Sequence, residues 1–188
     1  MRPRRASSRR LCGSRAVADR LARLCLDLNV WCAAYLADRA GRSDTASQFL
    51  VAAVRTSRGR NEPLQLVVSW GMLQRLRGVL TTQLLFRPED AAELVDAIAG
   101  YARSGPSLTL GGVGVIPIHD SEDRHVLETA WAGAADVLVT ANLADFIQAD
   151  DEPILPGRVY RLKRGAGQMM AAHPFAAAAW LRQGRWQA

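Results

Sequence analysis

His119-Asp120-Ser121-Glu122-Asp123-Arg124-His125-Val126-Leu127, running on through Ala130-Trp131-Ala132-Gly133 to Asp136-Val137-Leu138-Val139-Thr140-Ala141-Asn142-Leu143-Ala144-Asp145-Phe146, decides the fold. It reads as an acidic turn, a helix, a strand and a second polar turn. Just ahead of it, Val113-Gly114-Val115-Ile116-Pro117-Ile118 is a short apolar run rich in β-branched residues, which predicts a strand ending at Asp120. Asp120 or Ser121 can cap the helix, whose apolar face carries Val126, Leu127, Ala130 and Trp131 and which Gly133 stops. Val137-Leu138-Val139 is a second buried strand. Two neighbouring parallel strands then bring Asp120, Asp123, Asn142 and Asp145 to one sheet edge. That edge is formed by the carboxyl ends of the strands, where open α/β sheets keep their ligands.

Working outward, Arg23-Leu24-Cys25-Leu26-Asp27 predicts an earlier strand that also ends in a carboxylate. Asn29 can cap a following helix from Val30 to about Asp38, and Ser43 or Asp44 can start another through about Thr56. Two helices between strands make a long crossover, which implies parallel pairing. Leu64 to Val68 is the next strand, and Ser69 caps a helix carrying Met72, Leu73, Leu76 and Leu80 inward, with Gln74 near its start. Pro88, Glu89 and Asp90 mark the first turn of a further helix with Leu94, Val95 and Ile98 on its buried stripe. Gly105 to Gly112 reads as a loop, Asp150 to Gly157 as an acidic, proline-broken loop, Arg158 to Leu162 as the last strand, and His173-Pro174 as the start of a terminal helix. The alternation predicts a three-layer α/β/α sandwich around a central parallel sheet.

At 188 residues and 49% hydrophobic content the chain suits one core. No apolar run is long enough to span a bilayer, which excludes a helical membrane protein from the expectation. Cys12, Cys25 and Cys32 form no CxxC pair, and their odd number argues against a disulfide framework. Buried thiols in the reducing cytoplasm are the simplest account. The net charge of +6 is unevenly placed, because residues 1–24 hold eight arginines and one acid, Asp19, leaving 16 basic and 17 acidic residues for the rest. Residues 1–22 are therefore set apart as a basic arm, and 23–188 as the folded domain. The arm suits non-specific phosphate contacts, an unstructured tail or a misassigned start codon, and its composition imitates a mitochondrial transit peptide.

Asp27, Asp123 and Asp145 come from distant parts of the chain and are expected at one edge. Two carboxylates about 4 Å apart repel by roughly 4 kcal/mol at an effective dielectric near 20. Protons or a cation must compensate such a cluster, and a hard divalent ion such as Mg²⁺ or Mn²⁺ prefers carboxylate oxygens. Taken singly, each acid is equally well a helix cap or turn former, which is the reading adopted for Asp120 and Asp136. His119 and His125 read as structural or solvent-facing, and Ser69 as a cap rather than a nucleophile. Arg124 can meet a phosphate or form a surface ion pair. Thr140 can hydrogen-bond substrate or a metal-bound water.

Leu26-Asp27-Leu28-Asn29-Val30, Val68-Ser69 with its helix, Asp120-Ser121-Glu122-Asp123-Arg124-His125-Val126-Leu127 and Asp136 to Phe146 together resemble the PIN-domain family, which includes the toxin halves of VapBC-type toxin–antitoxin pairs. The likeness covers residues from about 24 to 165. It implies a PIN-like sandwich, dependence on Mg²⁺ or Mn²⁺, endonucleolytic RNA cleavage, inhibition by a small antitoxin protein and assembly as a homodimer. The family's first and third acids fall on Asp27 and Asp123. Its fourth falls at Asn142, with Asp145 three residues on as the substitute ligand. Its second falls on Gln74, an amide where members usually carry glutamate, which supplies no negative charge to an ion.

Two other functions fit parts of the pattern. Gln74 and Asn142 allow a degenerate PIN module that binds RNA or a protein partner without cutting. A phosphoacceptor receiver also uses a sheet-edge acid cluster, with Thr140 and Lys163 in supporting places, but it lacks an adjacent acid pair at the first strand.

Overall fold

The structure, a computed structural model, describes residues 21–59, 63–102, 121–165 and 167–184, at 121–123 for the backbone alone. The arm up to residue 20, the expected strand at 113–118, His119 and Asp120 lie outside the described residues. Strand β1 (Ala22–Leu26) is followed by helices α1 (Leu28–Arg39) and α2 (Ala46–Thr56), then β2 (Leu64–Val67), α3 (Trp70–Thr82) and α4 (Pro88–Tyr101). Helix α5 (Ser121–Ala132) leads to β3 (Val137–Val139), a single 3₁₀ turn (Leu143–Asp145), strands β4 (Glu152–Leu155), β5 (Val159–Arg164) and β6 (Gly167–Ala172), and helix α6 (Pro174–Gln183). The strands lie in the order β2-β1-β3-β6-β5-β4.

The expected α/β sandwich is present, but its sheet is mixed rather than wholly parallel. Pairing is parallel across β2, β1, β3 and β6, and antiparallel from β6 to β5 and from β5 to β4. Strands β2 and β3 are buried throughout and β1 nearly so, which requires cover on both faces of the sheet. Leu24, Leu26, Leu64 and Leu138 on these strands join Trp31 of α1, Leu50 of α2, Leu73 and Leu76 of α3 and Leu127 of α5 in one core.

Two segments differ from their sequence reading. Residues 152–155, expected as loop, form the edge strand β4, where Pro153 costs no ladder bond of a central strand. Gly167-Gln168-Met169-Met170-Ala171-Ala172 has little β-branched character, yet it forms β6 between β3 and β5, so the strand expected to be last is followed by another. The caps also shift. Asp27, not Asn29, caps α1, and Thr45, not Ser43 or Asp44, caps α2 through a reciprocal box with Gln48. Ser69 caps α3 as expected, accepting from the Met72 amide and hydrogen-bonding the Thr129 hydroxyl of α5 at 2.9 Å.

The chain leaves β1 toward β2 on one side and leaves β3 toward β6 on the other. The carboxyl ends of β1 and β3 therefore flank a switch point, with Leu26 registered against Val139 and the Asp27 amide donating to the Val139 carbonyl at 2.9 Å. The first residues beyond these strands are Asp27 and Thr140, which lie at that switch point. Helices α3 and α5 begin at the same edge, because α3 follows a parallel strand and α5 runs back to precede one.

Gly133 closes α5 for a packing reason. Its φ is not positive (Ala134 takes the left-handed conformation, φ 48°), but a Cβ there would collide with Val67 Cγ1 and come within 3.1 Å of the Thr129 carbonyl oxygen. Val67 is buried and stiff at χ1, so it cannot turn aside. Gly133→Ala is expected to lose about 1–3 kcal/mol, as overpacked sites do, read as a lower thermal midpoint.

Candidate active site

Asp27 is 5% exposed. Its Oδ1 accepts from the Leu28 amide at 2.6 Å, and its Oδ2 from Asn29 Nδ2 at 2.6 Å and the Thr140 hydroxyl at 2.7 Å. Burial raises this carboxyl above the usual aspartate range, against the opposing pull of Thr140, the backbone and Asn29. Oδ2 takes two of these donors and Oδ1 one, and the Asn29 amide also draws on the carboxyl. The buried Cys25 and half-buried Cys32 thiols are likewise held up, by burial and then by the neighbouring Asp27. Both are free thiols.

Thr140 is fully buried and uses its whole hydrogen-bonding inventory. Its hydroxyl donates to Asp27 and accepts from Asn29 Nδ2 at 3.1 Å and from the Asn142 amide at 3.0 Å. Asn29 completes the bridge by accepting from the Ala141 amide at 3.1 Å. Asn29, expected only as a cap, is thus the link between the two strand ends. The signal was an amide two residues after an acid, set opposite a threonine that closes the neighbouring strand.

The turn beyond Thr140 carries Asn142 and Asp145, both exposed, with the Asn142 side-chain amide donating to Asp145 Oδ2. Leu143 and Phe146 point inward and anchor the turn. The Phe146 carbonyl accepts from Arg164 Nη2 at 3.1 Å, and the same guanidinium forks the buried Asp151 carboxylate at 2.6 and 2.9 Å. Asp151 also accepts from the Gln148 and Lys163 amides at 2.8 and 2.9 Å. Burial pushes the Asp151 carboxyl up, but Arg164 and these amides outweigh it and hold it below the usual range.

The structure therefore joins Asp27, Asn29, Thr140, Asn142 and Asp145 in one hydrogen-bonded chain. Asp123 lies in the first turn of α5, at the same sheet edge, with its side chain outside the description. Gln74 is exposed on α3, one turn beyond the exposed Trp70. Arg124 is half-buried on α5 and engaged by other groups of the chain, and His125 beside it is half-buried. Asp136 is structural, accepting from the Arg23 amide at 3.0 Å. Lys163 lies 3.4 Å from Glu152.

No three His, Cys, Asp or Glu side chains among the described residues form a metal-holding group. The two expected ligands whose side chains are described, Asp27 and Asp145, offer carboxylate oxygens. That donor chemistry fits a hard divalent cation.

A family model described as the PIN domain matches residues 23–144. The PIN domain is generally a nuclease fold that uses divalent metal ions and acts on RNA. No curated protein matches the chain, and no solved structure does. No helix among the described residues is long and apolar enough to cross a membrane.

Thr140→Val is expected to cost about 1–3 kcal/mol in urea unfolding, since buried donors and acceptors lose their partner, with Thr140→Ser recovering most of it. Arg164→Ala strands a buried carboxylate and is expected to cost about 3–5 kcal/mol at neutral pH. Because the Asp151 carboxyl is depressed, its contribution is full above a pH of about 4 and is lost as pH falls toward its folded value. The difference between Arg164→Ala and wild type should accordingly shrink in acid unfolding series run below that pH.

Proposed function

Because the chain belongs to the PIN-domain family, we propose that it is a metal-dependent endoribonuclease, working in the cytoplasm as the toxin component of a toxin–antitoxin pair. The observation that carries the nuclease reading is the buried Asp27 carboxylate, oriented at the β1/β3 switch point by Asn29 and Thr140. Asp27, Asp123 and Asp145 would hold Mg²⁺ or Mn²⁺. When bound, such an ion activates a water and offsets the charge that builds on a phosphodiester.

The chain's own residues do the positioning. Thr140 and Asn29 hold Oδ2 of Asp27 and the Leu28 amide holds Oδ1, an arrangement that fixes how a ligating carboxylate presents itself. Asn142 holds one oxygen of Asp145 and leaves the other available. The Phe146 carbonyl, the Arg164 fork and Asp151 keep that turn from swinging away. The net reaction is hydrolytic: water oxygen joins phosphorus, the bond to the leaving sugar oxygen breaks, and that oxygen takes up a proton.

The toxin assignment rests on the resemblance to the PIN-domain family, which includes the toxin halves of toxin–antitoxin pairs. It carries with it a small antitoxin partner and a homodimer. A small reading frame just upstream, overlapping this start, would support the pairing. The second reading, an RNA- or protein-binding module without cleavage, is favoured by the amides Gln74 and Asn142 at usually acidic places.

Incubation of the purified chain with Mn²⁺ and a panel of labelled RNAs separates the two. Endonucleolytic products are expected, lost on chelation and reduced at least a hundredfold by Asp27→Asn, about 2.7 kcal/mol of transition-state stabilisation. Gln74→Glu should raise the rate if the missing charge limits it. Products that persist in Asp27→Asn would overturn the assignment of the site, and no cleavage of any RNA would favour the binding module.

A further inference from the structure

A groove of about 510 Å³ runs between α1, the start of α2 and the start of α6. Its walls include Leu36, Arg42, Thr45, Ala141, His173 and Phe175. Ala141 ties it to the candidate site, because the Ala141 amide donates to Asn29, which in turn holds Asp27. The groove and the candidate site therefore meet at the Ala141–Asn29 contact.

Two exposed apolar side chains stand on its walls. Leu36 is 46% exposed and Phe175 64% exposed, an arrangement a folded chain does not need for its own core. The Phe175 ring stacks on the His173 imidazole, with centroids 5.3 Å apart and planes inclined by 21°. His173 is fixed as the α6 cap, its Nδ1 accepting from the Phe175 amide at 3.4 Å, so the imidazole is a set base for the stack. A half-exposed aromatic stacked on one face offers its other face to a further flat group. Among the described residues no carboxylate lines the groove, and the exposed Arg42 guanidinium has no ion-pair or hydrogen-bond partner. An open aromatic face, an uncommitted cation and the absence of acids suit a nucleic acid better than a basic or purely apolar peptide.

We propose that this groove seats a single-stranded RNA nucleotide next to the one whose phosphodiester is cut, its base stacked on Phe175 and its phosphate against Arg42. The identity of the neighbouring phosphate rests on the nuclease reading; the groove's affinity for RNA does not. Stacking on an aromatic tolerates any base, so the groove contributes affinity and strand form rather than a strict sequence code.

The test is fluorescence anisotropy with a labelled single-stranded RNA of roughly ten nucleotides, within the usual site sizes. The full chain carrying Asp27→Asn, with chelator present, is the parent, so that no cleavage occurs. Adding Phe175→Ala should weaken binding about tenfold, and Phe175→Trp should restore it. Arg42→Ala should weaken binding and reduce the salt slope by about 0.7, the value for one single-strand phosphate contact. A duplex of the same length should bind more weakly than the single strand. Unchanged affinity in both Phe175→Ala and Arg42→Ala, or no binding by the parent, overturns the proposal and leaves the groove to a protein partner. Cleavage by the wild-type chain is scored separately. Cutting with a Phe175-independent affinity refutes the groove alone, and Phe175-dependent affinity without cutting refutes the nuclease reading alone.

Discussion

The carboxylate of Asp27 sits almost wholly out of water at the point where the chain diverges from β1 and β3. Burying an ionised carboxylate is costly unless polar partners replace its hydration. The fold supplies them from three directions: the first turn of α1 through Leu28, the side chain of Asn29, and Thr140 from the next strand. The last of these depends on the β1–β3 register, since a slip of one residue would turn Thr140 to the opposite face. Even with these partners the carboxyl remains harder to ionise than an ordinary aspartate. A cation beside the carboxyl would offset that cost.

The rest of the sheet steadies what lies next to it. The antiparallel β4–β5–β6 half adds no residue to the acid cluster, yet it holds the turn that carries Asp145. Arg164 on β5 reaches both the Phe146 carbonyl and Asp151, so a buried ion pair between a strand and a loop fixes the distance between them. Buried pairs of this kind add little net stability, but removing one partner is strongly destabilising, which makes them good for setting a geometry. The groove beside Ala141 adjoins the same edge.

Much of this was legible in the residues because the relevant signals were local. β1 and β3 are short apolar runs ending in polar residues, and their register follows from being parallel neighbours, so Asp27 and Thr140 could be placed at one edge from sequence. Ser69 and Pro88 announced their helices in the same way. β4 and β6 were not legible, because Glu152-Pro153-Ile154-Leu155 and the methionine-containing 167–172 become strands only through the partners that pair with them. Asp27 and Asn29 are both good cap formers, and only the packing of β1 against β3 decided which capped and which bridged. Arg164 and Asp151 are thirteen positions apart, and nothing local tells that a hairpin will fold one onto the other.

Isothermal titration of Mn²⁺ into the wild-type chain, Asp27→Asn and Asp123→Asn tests the central claim most directly, that distant acids at this edge share one cation. The expected result is a single ion per chain in the wild type and loss of detectable binding in either variant. Wild-type binding in Asp123→Asn, or in Asp27→Asn, would contradict it.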